Sequence, residues 1–111
     1  MHSIVWTLGA HAAAVVINVE GELDITDAVS LREQLGIAAD AWPHVVVNLT
    51  RVTFIDSSCL GVLVAASKRT SSSGGSLRLV VEEGSLMRTL RISGLGEVLS
   101  VYPTLDLAQL P

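Results

Sequence analysis

One cysteine, three prolines and few aromatic side chains (two tryptophans, one tyrosine, one phenylalanine) are spread over 111 residues. A lone Cys59 excludes any disulfide within the chain and is compatible with a reducing compartment. Charged residues are also scarce, at 16%, against about 25% in an ordinary soluble domain. Half the residues are apolar, so disorder is excluded, because disordered chains are charge-rich and apolar-poor. Clustered positive charge is missing too. Lys68-Arg69 is the only adjacent basic pair and the formal net charge is -4. That removes the electrostatic footprint of a nucleic-acid binder and matches anionic membranes poorly. No apolar run approaches the roughly 20 residues that cross a bilayer. The start, Met1-His2-Ser3-Ile4-Val5-Trp6, lacks the basic residues and apolar stretch of a signal peptide. The expectation is one cytoplasmic domain covering residues 1–111, without nucleic-acid or membrane partners.

Catalytic and cofactor signatures are equally thin. His2, His11 and His44 lack metal-ligand spacing, and none has the context of a base serving a serine. Gly74-Gly75-Ser76 has no P-loop lysine, and Gly94-Leu95-Gly96 is too short for a dinucleotide fingerprint. No enzyme, cofactor or metal is implied. Glu82-Glu83 reads as a solvated strand end. Trp6 and Trp42 read as packing residues.

What is present is alternation. Ile4–Leu8 and Ala13–Val19 read as an antiparallel pair of strands turned at Gly9-Ala10-His11. Gly21 to Thr26 breaks the pattern. From Asp27, the spacing of Ala28, Leu31, Leu35 and Ala38 predicts a helix, with Thr26 as its N-cap and Pro43 as its stop. Val45–Leu49 is a continuous apolar run suited to a strand covered on both faces, and Val52, Phe54 and Ile55 return the chain to the core. A second helix runs from Asp56-Ser57-Ser58 to about Thr70, and residues 71–75 form a flexible turn. Leu77–Val81 is a strand, Ser85 caps a third helix, and Gly94 ends it in a left-handed conformation. Val98–Tyr102 is a short strand, and Thr104 opens a terminal helix. Strands alternating with helices predict an α/β domain: a small, mixed, mostly parallel sheet with about four helices packed on it.

The chemically informative segment is Phe54-Ile55-Asp56-Ser57-Ser58-Cys59-Leu60-Gly61, between a buried strand and an amphipathic helix. Helix N-termini present unpaired amides and partial positive charge, so Ser57 and Ser58 sit where an anion is tolerated. Simple N-capping explains the same residues, and one serine can cap while the other is exposed. Leu60 and Val64, four apart, suit either core or interface. Gly61 inside a helix costs about 1 kcal/mol relative to alanine, which close approach of a partner or a neighbouring strand would explain. Cys59 at a helix N-terminus reads either as a redox-sensitive thiol or as a small buried hydrophobe.

Gly21-Glu22-Leu23-Asp24, Val47-Asn48-Leu49, Phe54 through Leu63, Gly74-Gly75 and Ile92-Ser93-Gly94-Leu95 together resemble the STAS domain of anti-sigma-factor antagonists, over about Val15 to Tyr102. Each motif alone is weak; their order and spacing carry the resemblance. It implies the STAS fold and a partner switch. In that family the unmodified antagonist binds an anti-sigma factor, a serine kinase of the GHKL ATPase type, and frees the sigma factor. The kinase phosphorylates the serine after the motif aspartate, and a PP2C-type phosphatase reverses this. By position the acceptor is Ser57. The implied contact residues are Asp24, Ile25, Thr26, Asp56, Ser57, Ser58, Leu60 and Gly61. The family usually has glycine where this chain has Cys59. An alternative use of the same fold is as a STAS subunit or scaffold of a larger complex, a lipid-transport ABC system or a stressosome-like assembly.

Overall fold

The computed structural model describes residues 2–9 and 14–110. Five strands form one sheet in chain order: β1 (His2–Leu8), β2 (Ala14–Leu23), β3 (His44–Ile55), β4 (Ser76–Val80) and β5 (Ser100–Tyr102). β1 runs antiparallel to β2, and every other neighbouring pair is parallel. Helices α1 (Ala28–Ala41), α2 (Ser57–Ser72), α3 (Ser85–Ser93) and α4 (Leu105–Ala108) make the crossovers and the terminus. This is the expected α/β architecture. The turn expected at Gly9-Ala10-His11 lies mostly outside the described residues, though the Gly9 amide donates to the Ala14 carbonyl.

The pleat sends alternate side chains to opposite faces, and each face has its own cover. Val15, Ile17 and Val19 of β2, Val45, Val47 and Leu49 of β3, and Leu77 and Leu79 of β4 pack with Leu31, Leu35, Leu63 and Leu90 of α1, α2 and α3. Val16, Val46 and Val80 face the other way and meet Ala108, Leu105 and Tyr102. The continuous valine run of β3 is therefore explained by burial on both faces. Trp6 and Trp42 meet edge to face with centroids 5.8 Å apart, packing at the rim of the main core.

Several boundaries differ from the sequence expectation. β2 continues through Gly21-Glu22-Leu23, and β3 continues to Ile55, with register shifts at Asn18/Glu20 and Gly21/Glu22. Gly21 permits this with φ +96°, a conformation that costs a side-chain-bearing residue energy. Phe54, expected in the core, is 52% exposed, because Thr53 is an extra residue opposite Gly21-Glu22 and breaks the alternation, so that Val52 and Ile55, three apart, both face inward. Thr26 does not cap α1. A 3-10 turn at Ile25–Asp27 precedes that helix, and Asp24 caps the turn. Ser85 does not cap α3 either; Gly84 holds that position and no side chain caps the helix. α2 runs on to Ser72, leaving only residues 73–75 as the turn. Gly75 is demanded there, since a Cβ would lie 1.9 Å from the Pro43 carbonyl oxygen.

Candidate functional site

Leu23 and Ile55 are paired at the C-terminal ends of the neighbouring parallel strands β2 and β3. The next residue on each strand is an aspartate, and each aspartate is an N-cap. The ends of parallel strands are where α/β sheets place their ligand sites, because loops and helix N-termini converge there. The Asp56 amide donates to the Leu23 carbonyl at 2.7 Å, which stitches the two loops together.

Asp24 caps the 3-10 turn. Its carboxylate accepts from the Thr26 amide at 2.9 Å and from the Thr26 hydroxyl. Asp27 completes the capping box by accepting the Asp24 amide at 2.8 Å. The other Asp27 oxygen lies 2.6 Å from Nδ1 of His2, which ties the start of β1 to this loop. The Asp24 amide, opposed by burial and helped by His2, holds the Asp27 carboxyl below its usual range.

Asp56 caps α2. Its carboxylate accepts from the Ser58 amide at 2.9 Å and from the Ser58 hydroxyl, and its carbonyl takes the Cys59 and Leu60 amides. The Ser58 hydroxyl and amide, and then the Ser57 amide, keep Asp56 below the ordinary carboxylate range, so it is anionic at neutral pH. The two serines thus divide the roles. Ser58 is half-buried and held by Asp56. Ser57 is exposed at the first helical position, and among the described residues its hydroxyl has no hydrogen-bond partner. It stands at the positive end of a 16-residue helix, flanked by an anionic cap.

Cys59 lies fully buried in the main core. Its thiol donates to the Asp24 carbonyl at 3.3 Å, a second link between the loops. Burial, reinforced by Asp27, Asp56 and Asp24, pushes the thiol pKa up, so it stays protonated and unreactive. The side chain that replaces the family's glycine therefore points into the core and leaves the surface around Ser57 unobstructed.

Of the expected contact residues, Ile25, Thr26, Ser57 and Gly61 are exposed, while Asp24, Asp56 and Ser58 are partly so. Leu60, at 6% exposure, faces the core and has little surface to offer. A Cβ on Gly61 would meet nothing within 4 Å, so no strand presses on it. Sequence reasoning missed Phe54, whose exposed ring lies two residues before the Asp56 cap. Alternation carries no signal for this exposure, since it sets Phe54 on the side of the buried Val52; the register shift opposite Gly21-Glu22 reverses it. Sequence reasoning also missed the bracing of the Asp24 loop by His2 and Asp27, a contact 25 residues apart that no local pattern announces.

The STAS domain family profile matches residues 6–108. The chain is 33% identical to the anti-sigma-B factor antagonist of Bacillus subtilis over 87 residues, 78% of this chain and 80% of that protein. It is 32% identical to the anti-sigma-F factor antagonist RsfB of Mycobacterium tuberculosis over 106 residues, 93% of this chain and 84% of that one. The crystal structure of an anti-sigma factor antagonist from Mycobacterium paratuberculosis superposes with a TM-score of 0.81 at 30% identity, covering 96% of this chain and 91% of the other.

Proposed function

The chain belongs to the STAS domain family, and from that membership we propose that it is an anti-sigma-factor antagonist switched by phosphorylation of Ser57. The observation that carries the reading is the free, exposed Ser57 hydroxyl beside a Ser58 already engaged by the cap. The unmodified protein binds its anti-sigma factor through Ile25, Thr26, Ser57, Gly61 and the exposed Phe54 ring, with Asp24 and Asp56 at the margin. That partner is a serine kinase of the GHKL type, and a PP2C-type phosphatase restores the free hydroxyl. The antagonist catalyses nothing itself and works in the cytoplasm.

Phosphorylation adds a charge of about −1.5 to −2 at neutral pH. The amides at the start of α2 accommodate that charge within the protein, but Asp56 and a partner surface shaped for a hydroxyl do not. A loss of about 3 kcal/mol weakens a complex roughly a hundredfold, which is enough to release the partner. Ser57→Ala, used as bait, is expected to capture the kinase, and that kinase with ATP is expected to add one phosphate to the wild type, at Ser57. Ser57→Ala keeps partner affinity and Ser57→Asp weakens it. Phosphate on another residue, or equal affinity of all three proteins, refutes the assignment.

A further inference from the structure

The two edges of the sheet are built differently. β5 is three residues long and runs straight into Pro103. β1 is seven residues long, carries no proline, lysine or acidic residue, and leaves Val5 55% exposed. Proteins that keep an edge strand single usually shorten it, charge it or break it with proline. None of these devices is present on β1.

The hydrogen-bond phase of that edge follows from its pairing with β2. Partners across the two strands sum to 23, and the Gly9 amide donates to Ala14, which continues that register. Hydrogen-bonded pairs alternate along an antiparallel ladder, so the odd-numbered residues of β1 direct their backbone groups toward β2. The Val5 carbonyl also accepts from the side-chain amide of Asn18 on β2 at 3.4 Å, so it is turned toward β2. The backbone amides and carbonyls of His2, Ile4, Trp6 and Leu8 therefore point outward.

We propose that β1 pairs with β1 of a second copy of this chain, antiparallel about a two-fold axis at Val5, joining the sheets into one of ten strands. Val5 is both the midpoint of the strand and an inward-bonding residue. An axis on a residue, and not between two residues, matches outward groups with outward groups, and of these axes the one at Val5 pairs the strand over its whole length. Centred there, Ile4 faces Trp6 of the other copy and His2 faces Leu8, as hydrogen-bonded pairs. Ser3 faces Thr7, and Val5 meets its own equivalent as a non-hydrogen-bonded pair. Charge favours this occupant. The chain carries a net charge of -4, yet this edge is free of acidic groups and its one titratable side chain, on His2, lies opposite a leucine. The contact covers the 84% exposed Leu8 together with Val5. One strand pair with its flanks falls below the ~1,600 Å² of a standard interface, so the dimer is a reversible one. Antiparallel pairing sends the two Ser57 sites to opposite ends of the joined sheet, so each stays accessible. This inference does not depend on the role of Ser57.

Sedimentation equilibrium from micromolar to submillimolar concentration is expected to show a monomer–dimer equilibrium. Val5→Lys sets two like charges face to face and weakens it by about tenfold or more, while an unchanged thermal melt shows that the fold persists. The register has its own test, because Cys59 is buried and an introduced surface cysteine is the only accessible thiol. Non-hydrogen-bonded partners have Cα atoms about 4.5 Å apart, within disulfide reach. Under mild oxidation Val5→Cys forms a linked dimer. Ser3→Cys and Thr7→Cys each remain unlinked alone but link when mixed. A wild type that stays monomeric throughout, a dimer indifferent to Val5→Lys, or a Ser3→Cys protein that links to itself as readily as Val5→Cys overturns the proposal.

Discussion

Gly61 lies in the second turn of α2, exposed, with open space where a side chain would stand. Alanine there fits without a clash and removes the conformational freedom that glycine returns to the unfolded chain. Gly61→Ala should therefore stabilise the protein by about 1 kcal/mol, read as a higher urea midpoint at unchanged slope. A stabilising substitution left unused asks for a reason, and the neighbouring strand is not it. If the partner's surface comes down on this turn, the same substitution weakens binding while it strengthens the fold. Opposite signs in the two measurements place Gly61 in the interface, and unaltered affinity removes it. In sequence, a helical glycine looks the same whether a strand or solvent lies above it, so its role was not legible there. For Cys59 the sequence again left two readings open. Full burial closes the question, since a thiol with no access to solvent and a raised pKa is not a sensor.

Elements met at longer range were less legible. The helices, whose apolar residues recur every three to four positions, emerged from the pattern nearly whole. Their starts did not, since Thr26, Ser85 and Asp24 all have capping side chains and only backbone geometry selects among them. The capping box between β2 and α1 is a case in point. Asp27 serves the Asp24 amide with one oxygen and His2 of β1 with the other, so one buried carboxylate joins three elements. Its pKa lies below the ordinary 3.8 in the folded state, so its contribution to stability is complete above about 3.8 and is lost as pH falls through the folded value. Asp27→Asn should accordingly be less stable than wild type at neutral pH, and the two urea midpoints should converge in acid because only the wild type loses this contribution. Midpoints that stay parallel from neutral pH to pH 3 contradict a stabilising carboxylate at this junction.

At the scale of the whole molecule, the question is whether the modification moves the fold or only changes its surface. α2 is anchored immediately behind Ser57 by Cys59, Leu60, Val62 and Leu63, all in the main core, and its first turn is fastened to β2 through the Asp56 amide and the Cys59 thiol. Moving that turn to relieve a phosphate would pull buried apolar groups out of a close-packed interior, where even small displacements are costly. Leaving the phosphate in place costs less, since its exposed oxygens keep their water and lie at the positive end of the α2 dipole. The rigid alternative therefore wins on energy. Phosphorylated protein should show amide chemical-shift changes confined to the loops around Asp24 and Asp56 and the first turns of α2, with β4, α3 and β5 undisturbed. The sheet then works as a fixed plate that holds one hydroxyl in reach, and the partner reads the added charge directly. Widespread shifts across the distant strands would mean that the signal travels through the core, and an interface switch would no longer describe this protein.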